Sequence, residues 1–147
     1  MDAIRLQEKA KPGLGFIEHY CFENPQIDLP RTLFHRIAVP LAPFDSGLEY
    51  VRQPESTTVI IEWINLGLAD PAQLDGIEIS TDATPDIEAS LYLGGAHNWY
   101  HIDRLTLTRI DDHYSINCSG MVEFENEGVA QNERFEFRAD AKYRGGA

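Results

Sequence analysis

The sequence of 147 residues has few basic side chains, few cysteines and no long apolar run. Twelve Lys and Arg stand against 24 Asp and Glu, which gives a formal net charge of −12. Nucleic-acid binding depends on Lys and Arg displacing the counterions of phosphates, and anionic membranes attract basic segments for a related reason. We therefore expect no nucleic-acid and no membrane partner. The favoured partner is a basic protein or a cation, because opposite charges attract at long range.

The two cysteines, Cys21 and Cys118, lie far apart, and neither belongs to a CxxC motif of the zinc or thioredoxin type. We predict two buried free thiols in a reducing compartment, and the alternative is one long-range disulfide between them if the protein is exported. Residues 1–13 lack the apolar core of about 7–15 residues that a signal peptide needs, and no apolar run approaches ~18 residues. A cytoplasmic location is the resulting expectation.

Sequence signatures of catalysis are also missing. There is no G-x-S-x-G nucleophile elbow, no glycine-rich phosphate loop followed by Lys, and no EF-hand spacing. Alternating acids such as Glu123 and Glu125 are expected on a solvated face rather than as the acid pair of a glycosidase. We therefore predict no catalytic residue, no metal and no cofactor.

Alternation of apolar and polar residues with a period of two dominates the C-terminal third. Phe135 and Phe137, for example, alternate with Glu136 and Arg138. Such alternation over successive stretches with short polar connectors is typical of antiparallel strands with one solvated face. We predict a β-meander over residues 103–143.

The middle of the chain is less regular. Five prolines in residues 24–56 each remove an amide donor, so we predict only an edge strand over residues 31–39. The β-branched run at residues 57–64 predicts a buried strand. Residues 70–76 begin with Asp-Pro and end with Gly, an order that predicts one short helical turn.

Together these patterns predict one domain that spans residues 1–147. The length falls within the range of about 100–150 residues that is commonest for single domains. Residues 1–12 would form an N-terminal arm or a short helix, which the Pro-Gly pair at its end stops. About eight strands with one or two short helical turns give a mainly β fold, either an antiparallel β-sandwich or a β-barrel.

The stretch GGAHNWYHIDRL, residues 94–105, holds the densest group of functional side chains. On a helix, His97 and His101 would lie on one face as in HExxH zinc sites, but the Glu of that motif is missing. On a strand, four residues span about 13 Å at ~3.3 Å per residue. Two imidazoles so far apart do not share one ion, and we predict that no metal is bound there.

The glycine pair that opens this stretch leaves a metal site as an alternative. Glycine permits a curled loop, which would take His97 off the strand. Asp103, His113 and Glu88 would then be candidate third ligands, although no spacing selects one of them.

An extended conformation places His97, Trp99 and His101 on one face of the strand. We predict that this face contacts a ligand or partner, because aromatic and polar groups beside a glycine-rich loop are common where a ring, sugar or peptide binds. Burial of Trp99 in the core is the competing interpretation. The other face carries Asn98, Tyr100 and Ile102.

Acidic residues are concentrated where basic residues are absent. Residues 53–103 contain no Lys or Arg and nine acids. These acids are Glu55, Glu62, Asp70, Asp75, Glu78, Asp82, Asp86, Glu88 and Asp103. We interpret the chain as a non-enzymatic binding protein that docks or neutralises a basic protein partner through this belt. The predicted contact residues are Glu88, His97, Trp99, His101 and Asp103.

In size and acidity the chain resembles bacterial immunity proteins that cap a basic toxin, a likeness that involves no particular residue. The alternative function is a small-molecule- or metal-binding barrel, with enzymatic activity included, whose mouth carries His97, Trp99 and His101. A homo-oligomeric structural subunit is the third hypothesis.

Overall fold

A computed structural model describes residues 2–146 of the chain. The strands are β1 (Gly15–Asn24), β2 (Leu29–Phe44), β3 (Glu55–Ile64), β4 (Glu78–Ile79), β5 (Glu88–Leu93), β6 (Ala96–Ile110), β7 (His113–Val122) and β8 (Glu133–Gly146). The helical segments are α1 (Leu6–Lys9) and the 3₁₀ turns Pro25–Ile27 and Phe124–Glu127. The fold is mainly β with short helical turns, as the alternation predicts.

Seven of the strands close into a barrel in the order β1-β2-β3-β5-β6-β7-β8, and β4 pairs with β6 from outside this ring. Of the two predicted architectures, the barrel is the one formed. Neighbouring strands are antiparallel except β1 and β8, which run parallel. This exception follows from the odd number of strands. Strand directions cannot alternate all the way around a closed ring of seven, so at least one pair of neighbours must run parallel. Closure removes the sheet edges that would otherwise be open to aggregation.

The glycine pair at residues 94–95 forms the two-residue turn between β5 and β6. Leu93 pairs with Ala96, and the two glycines have φ angles of 65° and 75°. Positive φ at both central positions is what a type I′ hairpin turn requires, which explains why both are glycine. The pair therefore turns the chain directly into β6, and His97 lies on the strand rather than in the curled loop of the alternative interpretation.

Side chains fill the interior of the barrel, as is usual for barrels of about eight strands. The largest fully buried side chains include Tyr100, Phe124 and Phe135. Tyr100 donates a hydrogen bond of 2.7 Å from its hydroxyl to the carbonyl of Phe135, so this buried polar group has a partner. Burial raises the pKa of the nearby Cys118 thiol to about 12, so the thiol stays protonated and packs as an apolar group.

Both ends of the barrel are covered by the chain itself. At the end where β8 begins, the N-terminal segment inserts Ile4 and Leu6, which are 1% and 0% exposed. The carboxylate of Glu133 accepts hydrogen bonds from the backbone of this segment. At the other end the loop of residues 65–77 places Leu74 in the core with 0% exposure. The packed interior and covered ends leave the outer wall as the accessible surface.

The strand predicted over residues 31–39 is confirmed, but its predicted edge position is wrong from residue 35 onward, where β3 also pairs with it. These residues belong to β2, which is 16 residues long and pairs with β1 on one side and β3 on the other. Pro30 lies where the β1–β2 register shifts beside the hairpin, and the two later prolines are tolerated because the pairing with β1 covers only the part of β2 up to Ala38. Pro40 and Pro43 lie beyond it, so their missing N–H groups break no hydrogen bond to β1.

Two further local predictions need correction. Residues 70–76 form turns rather than a helical turn, although the Asp70 carboxylate does cap the amide of Ala72 at 3.0 Å. Cys21 is exposed rather than buried, because burial decreases along β1 and Cys21 lies in its exposed second half. Cys118 is buried as predicted, and both thiols are free.

Candidate binding surface on the outer wall

The five predicted contact residues all lie on the outer wall of the barrel, on two adjacent strands. Glu88 begins β5, and the other four alternate along β6. The alternate side chains of β6, which are Asn98, Tyr100 and Ile102, point inward and are buried. The period of two therefore sorts the two faces of β6 as predicted. None of the five lines the packed interior, and they do not converge on one point.

An apolar patch surrounds the first half of β6 on this wall. Trp99 is 45% exposed, Tyr92 52% and Ile60 37%. Ser90 pairs with both Ile60 and Trp99, so the three strands bring these side chains side by side. We call the outward residues Ile60, Tyr92, His97 and Trp99 the aromatic wall. Trp99 is thus a surface residue, and its interpretation as a core residue is wrong.

A shallow groove of about 470 Å³ runs along the aromatic wall between β3 and β5. Its lining includes Ile60, Tyr92 and His97, with the carboxylate of Glu62 at one side. The rings of Tyr92 and His97 meet nearly edge to face, with centroids 4.9 Å apart. A contiguous exposed apolar patch on a protein surface is typical of a contact site for another molecule.

Two of the five predicted contact residues, His101 and Asp103, lie beside groups that can carry the opposite charge. His101 Nε2 lies 3.5 Å from the carboxylate of Asp82, a contact that becomes an ion pair when the imidazole is protonated. Asp103 accepts a hydrogen bond of 2.6 Å from Arg134 on β8. Both pairs are solvent-exposed, so each contributes little to stability.

Among residues 2–146, no three His, Cys, Asp or Glu side chains are grouped so that they could hold a metal ion. The two histidines have different neighbours: His97 contacts Tyr92, whereas His101, four residues further along β6, faces Asp82 from the loop after β4. His113, proposed as a third ligand, lies at the far end of the β6–β7 hairpin beside Asp112.

A second feature of the outer wall is an aromatic cluster that sequence analysis did not identify. Trp63 lies at its centre and contacts Phe22, Phe34 and Tyr20 at centroid distances of 5.1, 5.3 and 5.8 Å. These are edge-to-face contacts, the favoured geometry for aromatic pairs. The sequence carried one sign of this cluster, because Tyr20 and Phe22 alternate along one face of β1. A regular strand at residues 57–64 gives no reason to place Trp63 beside them.

Trp63 reaches the cluster because β3 contains a bulge. His35 pairs with Ile64 and Ile37 pairs with Ile61, so two residues of β3 oppose one residue of β2. Trp63 has a φ of 59°, a conformation that bulky residues rarely adopt. The bulge turns the Trp63 side chain to the outer wall, next to Glu62, instead of into the barrel.

A partly exposed network of ion pairs borders the aromatic cluster on the outer wall. The guanidinium of Arg36 donates to Glu18 at 2.7 Å and to Glu62 at 2.6 Å, and it lies 4.8 Å from the centroid of the Tyr20 ring. The hydrogen bond to Glu62 raises the pKa of Arg36. Burial raises the pKa of Tyr20 to about 12, and its hydroxyl donates to Glu62 at 3.0 Å. This wall therefore holds a guanidinium between a ring and two carboxylates.

Glu88 stands apart from this network. Its Cα partner across the β3–β5 ladder is Glu62, so two carboxylates oppose each other on the same face. Arg36 neutralises Glu62, but no hydrogen bond or ion pair to the Glu88 side chain is found within residues 2–146. We expect Glu88→Gln to raise the free energy of unfolding by about 0.2–1 kcal/mol, because like charges directly opposite destabilise a strand pair. Urea denaturation measures this change, and a loss of stability would contradict the repulsion.

A buried histidine lies at the end of the barrel under the loop of residues 65–77. His35 is 1% exposed, and its Nε2–H donates to the carbonyl of Pro71 at 2.8 Å. Its Nδ1 atom has no hydrogen-bond partner among residues 2–146. Burial lowers the pKa of His35, and the neighbouring His19 acts in the same direction. The lowered pKa favours the neutral form of His35 in the folded protein.

The lowered pKa of His35 predicts a loss of stability in acid. The unfolded chain binds a proton at His35 below pH ~6.5, whereas the folded protein binds it only at a lower pH, so the free energy of unfolding falls as the pH drops below ~6.5. The contribution is at most about 1.4 kcal/mol per pH unit. Urea denaturation between pH 5 and 8 measures the free energy of unfolding, which should change less steeply with pH for His35→Gln than for the native protein. The exposed His97→Gln is the control, and equal slopes in all three proteins would refute the assignment.

No helix within residues 2–146 combines the length and apolar character needed to cross a membrane. Comparisons of the chain with protein families, with curated proteins and with solved structures found no match.

Proposed function

We propose that the protein is an acidic binding protein that docks a basic protein partner on the outer wall around β5 and β6. The observation that carries this proposal is the aromatic wall, an exposed apolar patch that includes Trp99 and Tyr92. It lies within residues 53–103, which contain no Lys or Arg. Interfaces commonly combine exposed aromatic side chains with a complementary charged surround.

Charge and apolar contact have separate roles in this proposal. The net charge of −12 attracts a basic partner and speeds its approach, an effect that salt weakens. Trp99 and Tyr92 supply the apolar area that holds the partner once it has arrived, because aromatic residues dominate the energy of most interfaces. No part of this mechanism requires a catalytic residue.

Selection of random peptides on the immobilised protein tests the proposal without a known partner. Peptides that bind should be enriched in Lys and Arg relative to the starting library, and 0.5 M salt should release them. Trp99→Ala should abolish the capture of most of them, whereas Asp140→Asn, on β8, which pairs with β1 and β7 and not with β3, β5 or β6, should not. Enriched peptides without excess basic residues, or capture that survives Trp99→Ala, would refute the proposal.

Association kinetics of the enriched peptides separate the two roles. We expect Glu88→Lys to lower the association rate several-fold at low ionic strength, because it reverses a charge beside the aromatic wall. Trp99→Ala should mainly raise the dissociation rate, because it removes contact area. Surface plasmon resonance measures both rates. An unchanged association rate for Glu88→Lys would mean that the acidic belt does not guide binding.

Light scattering of the protein alone addresses self-association. A stable homodimer whose formation is blocked by Trp99→Ala would mean that a second copy covers the aromatic wall, and it would overturn the proposal of a basic partner. A monomer leaves this surface available, as docking requires.

A further inference from the structure

A cavity of about 560 Å³ opens on the outer wall beside the aromatic cluster. It lies between the β1–β2 hairpin, the bulge of β3 and the start of β5. We call it the Trp63 cavity. Its lining includes Phe22, Ile27, Trp63, Asp28, Asp86 and Glu88. Phe22 is 38% exposed and Ile27 68%, so the apolar part of the lining is accessible from solvent.

The charge of the Trp63 cavity is negative and unbalanced. Three carboxylates, those of Asp28, Asp86 and Glu88, line it, and no Lys, Arg or His does. Within residues 2–146 these three side chains form no ion pair and no hydrogen bond. By contrast, the neighbouring acids Glu18 and Glu62 are both paired with Arg36. A cation would therefore complete the electrostatics of this cavity.

Backbone conformation supports a built cavity rather than a gap in the packing. Trp63, Asp28 and Asp86 have positive φ angles of 59°, 55° and 67°. Only two other non-glycine residues among residues 2–146, Arg5 and Asp111, share this conformation. Asp is often found in this conformation at turns, as Asp28 and Asp86 are here, so the informative residue is Trp63: a bulky side chain in the left-handed region costs stability, and such outliers cluster at ligand-binding positions.

The adjacent network shows which cation suits this chemistry. The Arg36 guanidinium lies against the Tyr20 ring and between the carboxylates of Glu18 and Glu62. A guanidinium combines a flat face that stacks on aromatic rings with N–H groups that pair with carboxylates, and an indole is the best aromatic partner for a cation. The Trp63 cavity offers the same two components without a guanidinium of its own.

We propose that the Trp63 cavity receives the guanidinium of an arginine side chain from the basic partner. This inference rests on the proposed function and names the group that the partner inserts. Trp63 and Phe22 provide aromatic contact, and Asp86 and Glu88 pair with the charge. Glu88 belongs to both surfaces, because it lines the cavity and begins the strand that carries Tyr92 of the aromatic wall.

The two tryptophans of the chain provide a direct readout. In ¹⁵N-labelled protein they give two indole N–H signals, which Trp99→Phe assigns. The probe is the tripeptide acetyl-Gly-Arg-Gly-amide, and its matched control carries citrulline, which has the shape of arginine without the charge. We expect the arginine tripeptide to shift the Trp63 signal in a saturable manner and to leave the Trp99 signal nearly unmoved. The citrulline tripeptide should shift neither signal.

Conservative variants test the carboxylates. Glu88→Gln and Asp86→Asn should each weaken binding of the arginine tripeptide by about two- to fivefold, the range of an exposed ion pair. Glu127→Gln should not change it. Equal shifts from arginine and citrulline, or shifts confined to Trp99, would overturn the inference. Tighter binding of tetramethylammonium than of the arginine tripeptide would also overturn it, in favour of a small-molecule cation.

The two proposals fail separately. If selection yields basic peptides but the Trp63 signal does not respond to arginine, the docking function stands and the cavity assignment is wrong. If arginine shifts Trp63 but selection yields no basic peptides, the cavity binds a guanidinium that no protein partner supplies. In that case the proposed function is wrong, and so is the partner half of the inference.

Discussion

Replacement of Gly120 with alanine is expected to destabilise the protein by about 3 kcal/mol or more, the upper part of the range for overpacking. Gly120 lies on β7 opposite Ile102 of β6, in the pairing that closes the barrel. A Cβ atom at this position would lie 2.2 Å from the carbonyl oxygen of His101 and 2.8 Å from Tyr100 Cε1. The first neighbour is backbone and the second is a buried ring, so neither yields without moving β6.

Urea denaturation followed by circular dichroism measures the loss, and amide hydrogen exchange locates it. Exchange should accelerate first in the paired residues of β6 and β7. Gly13→Ala is the matched control, because a Cβ there meets Pro40 at 3.6 Å, an ordinary contact distance. Its effect should stay within about 0.5 kcal/mol, as for most surface substitutions. If Gly120→Ala is as stable as this control, β6 and β7 do not approach each other as described.

The second large effect is expected for Glu133→Ala, which we expect to lower the free energy of unfolding by about 3 kcal/mol. The Glu133 carboxylate accepts hydrogen bonds from the backbone amides of Ile4, Arg5 and Leu6 at 2.6, 2.8 and 2.7 Å. Hydrogen bonds to a charged group contribute more than neutral ones, and three amides would lose their acceptor together. The substitution would release the segment whose apolar side chains cover one end of the barrel.

The measurement is again chemical denaturation, together with exchange of the three amides. These amides should lose their protection at a denaturant concentration well below the global transition. Glu136→Ala, on the same strand with an exposed side chain, is the control and should change stability little. Retained protection of all three amides in Glu133→Ala would show that the N-terminal segment is held by packing alone.

The sequence predicted the local character of most strands because that information is local. Alternation along residues 97–102 sorts outward His97, Trp99 and His101 from an inward face that includes the buried Tyr100. The same period predicts the meander of β6, β7 and β8, which is observed. Short polar turns fix the order of such strands without any distant contact.

Closure of the barrel was not predictable, because it depends on pairings between distant parts of the chain. The parallel pairing of β1 with β8 joins residues more than a hundred positions apart, such as Ile17 and Tyr143. A sandwich and a barrel would show the same alternation along each strand. The proline-rich β2 was misread for a related reason, since the cost of a proline depends on which partner strand lies beside it.

The Trp63 cavity also escaped sequence analysis. A continuous strand at residues 57–64 would place Glu62 and Trp63 on opposite faces, whereas the bulge brings both to the outer wall. No residue in this stretch is a glycine that would signal the irregularity. Glu88 was predicted to be a contact residue from its charge alone. The structure shows in addition that it lines a cavity together with Phe22 and Trp63.

The central claim is that the filled barrel binds a basic partner on its outer wall. The most direct test is the map of backbone amide shifts that an enriched basic peptide produces in ¹⁵N-labelled protein, recorded at low and high salt. We expect the largest shifts at the outward positions of β3, β5 and β6, around Ile60, Tyr92 and Trp99, and their reduction at high salt. Shifts centred on β7 and β8 or on the buried interior, or shifts insensitive to salt, would contradict the claim.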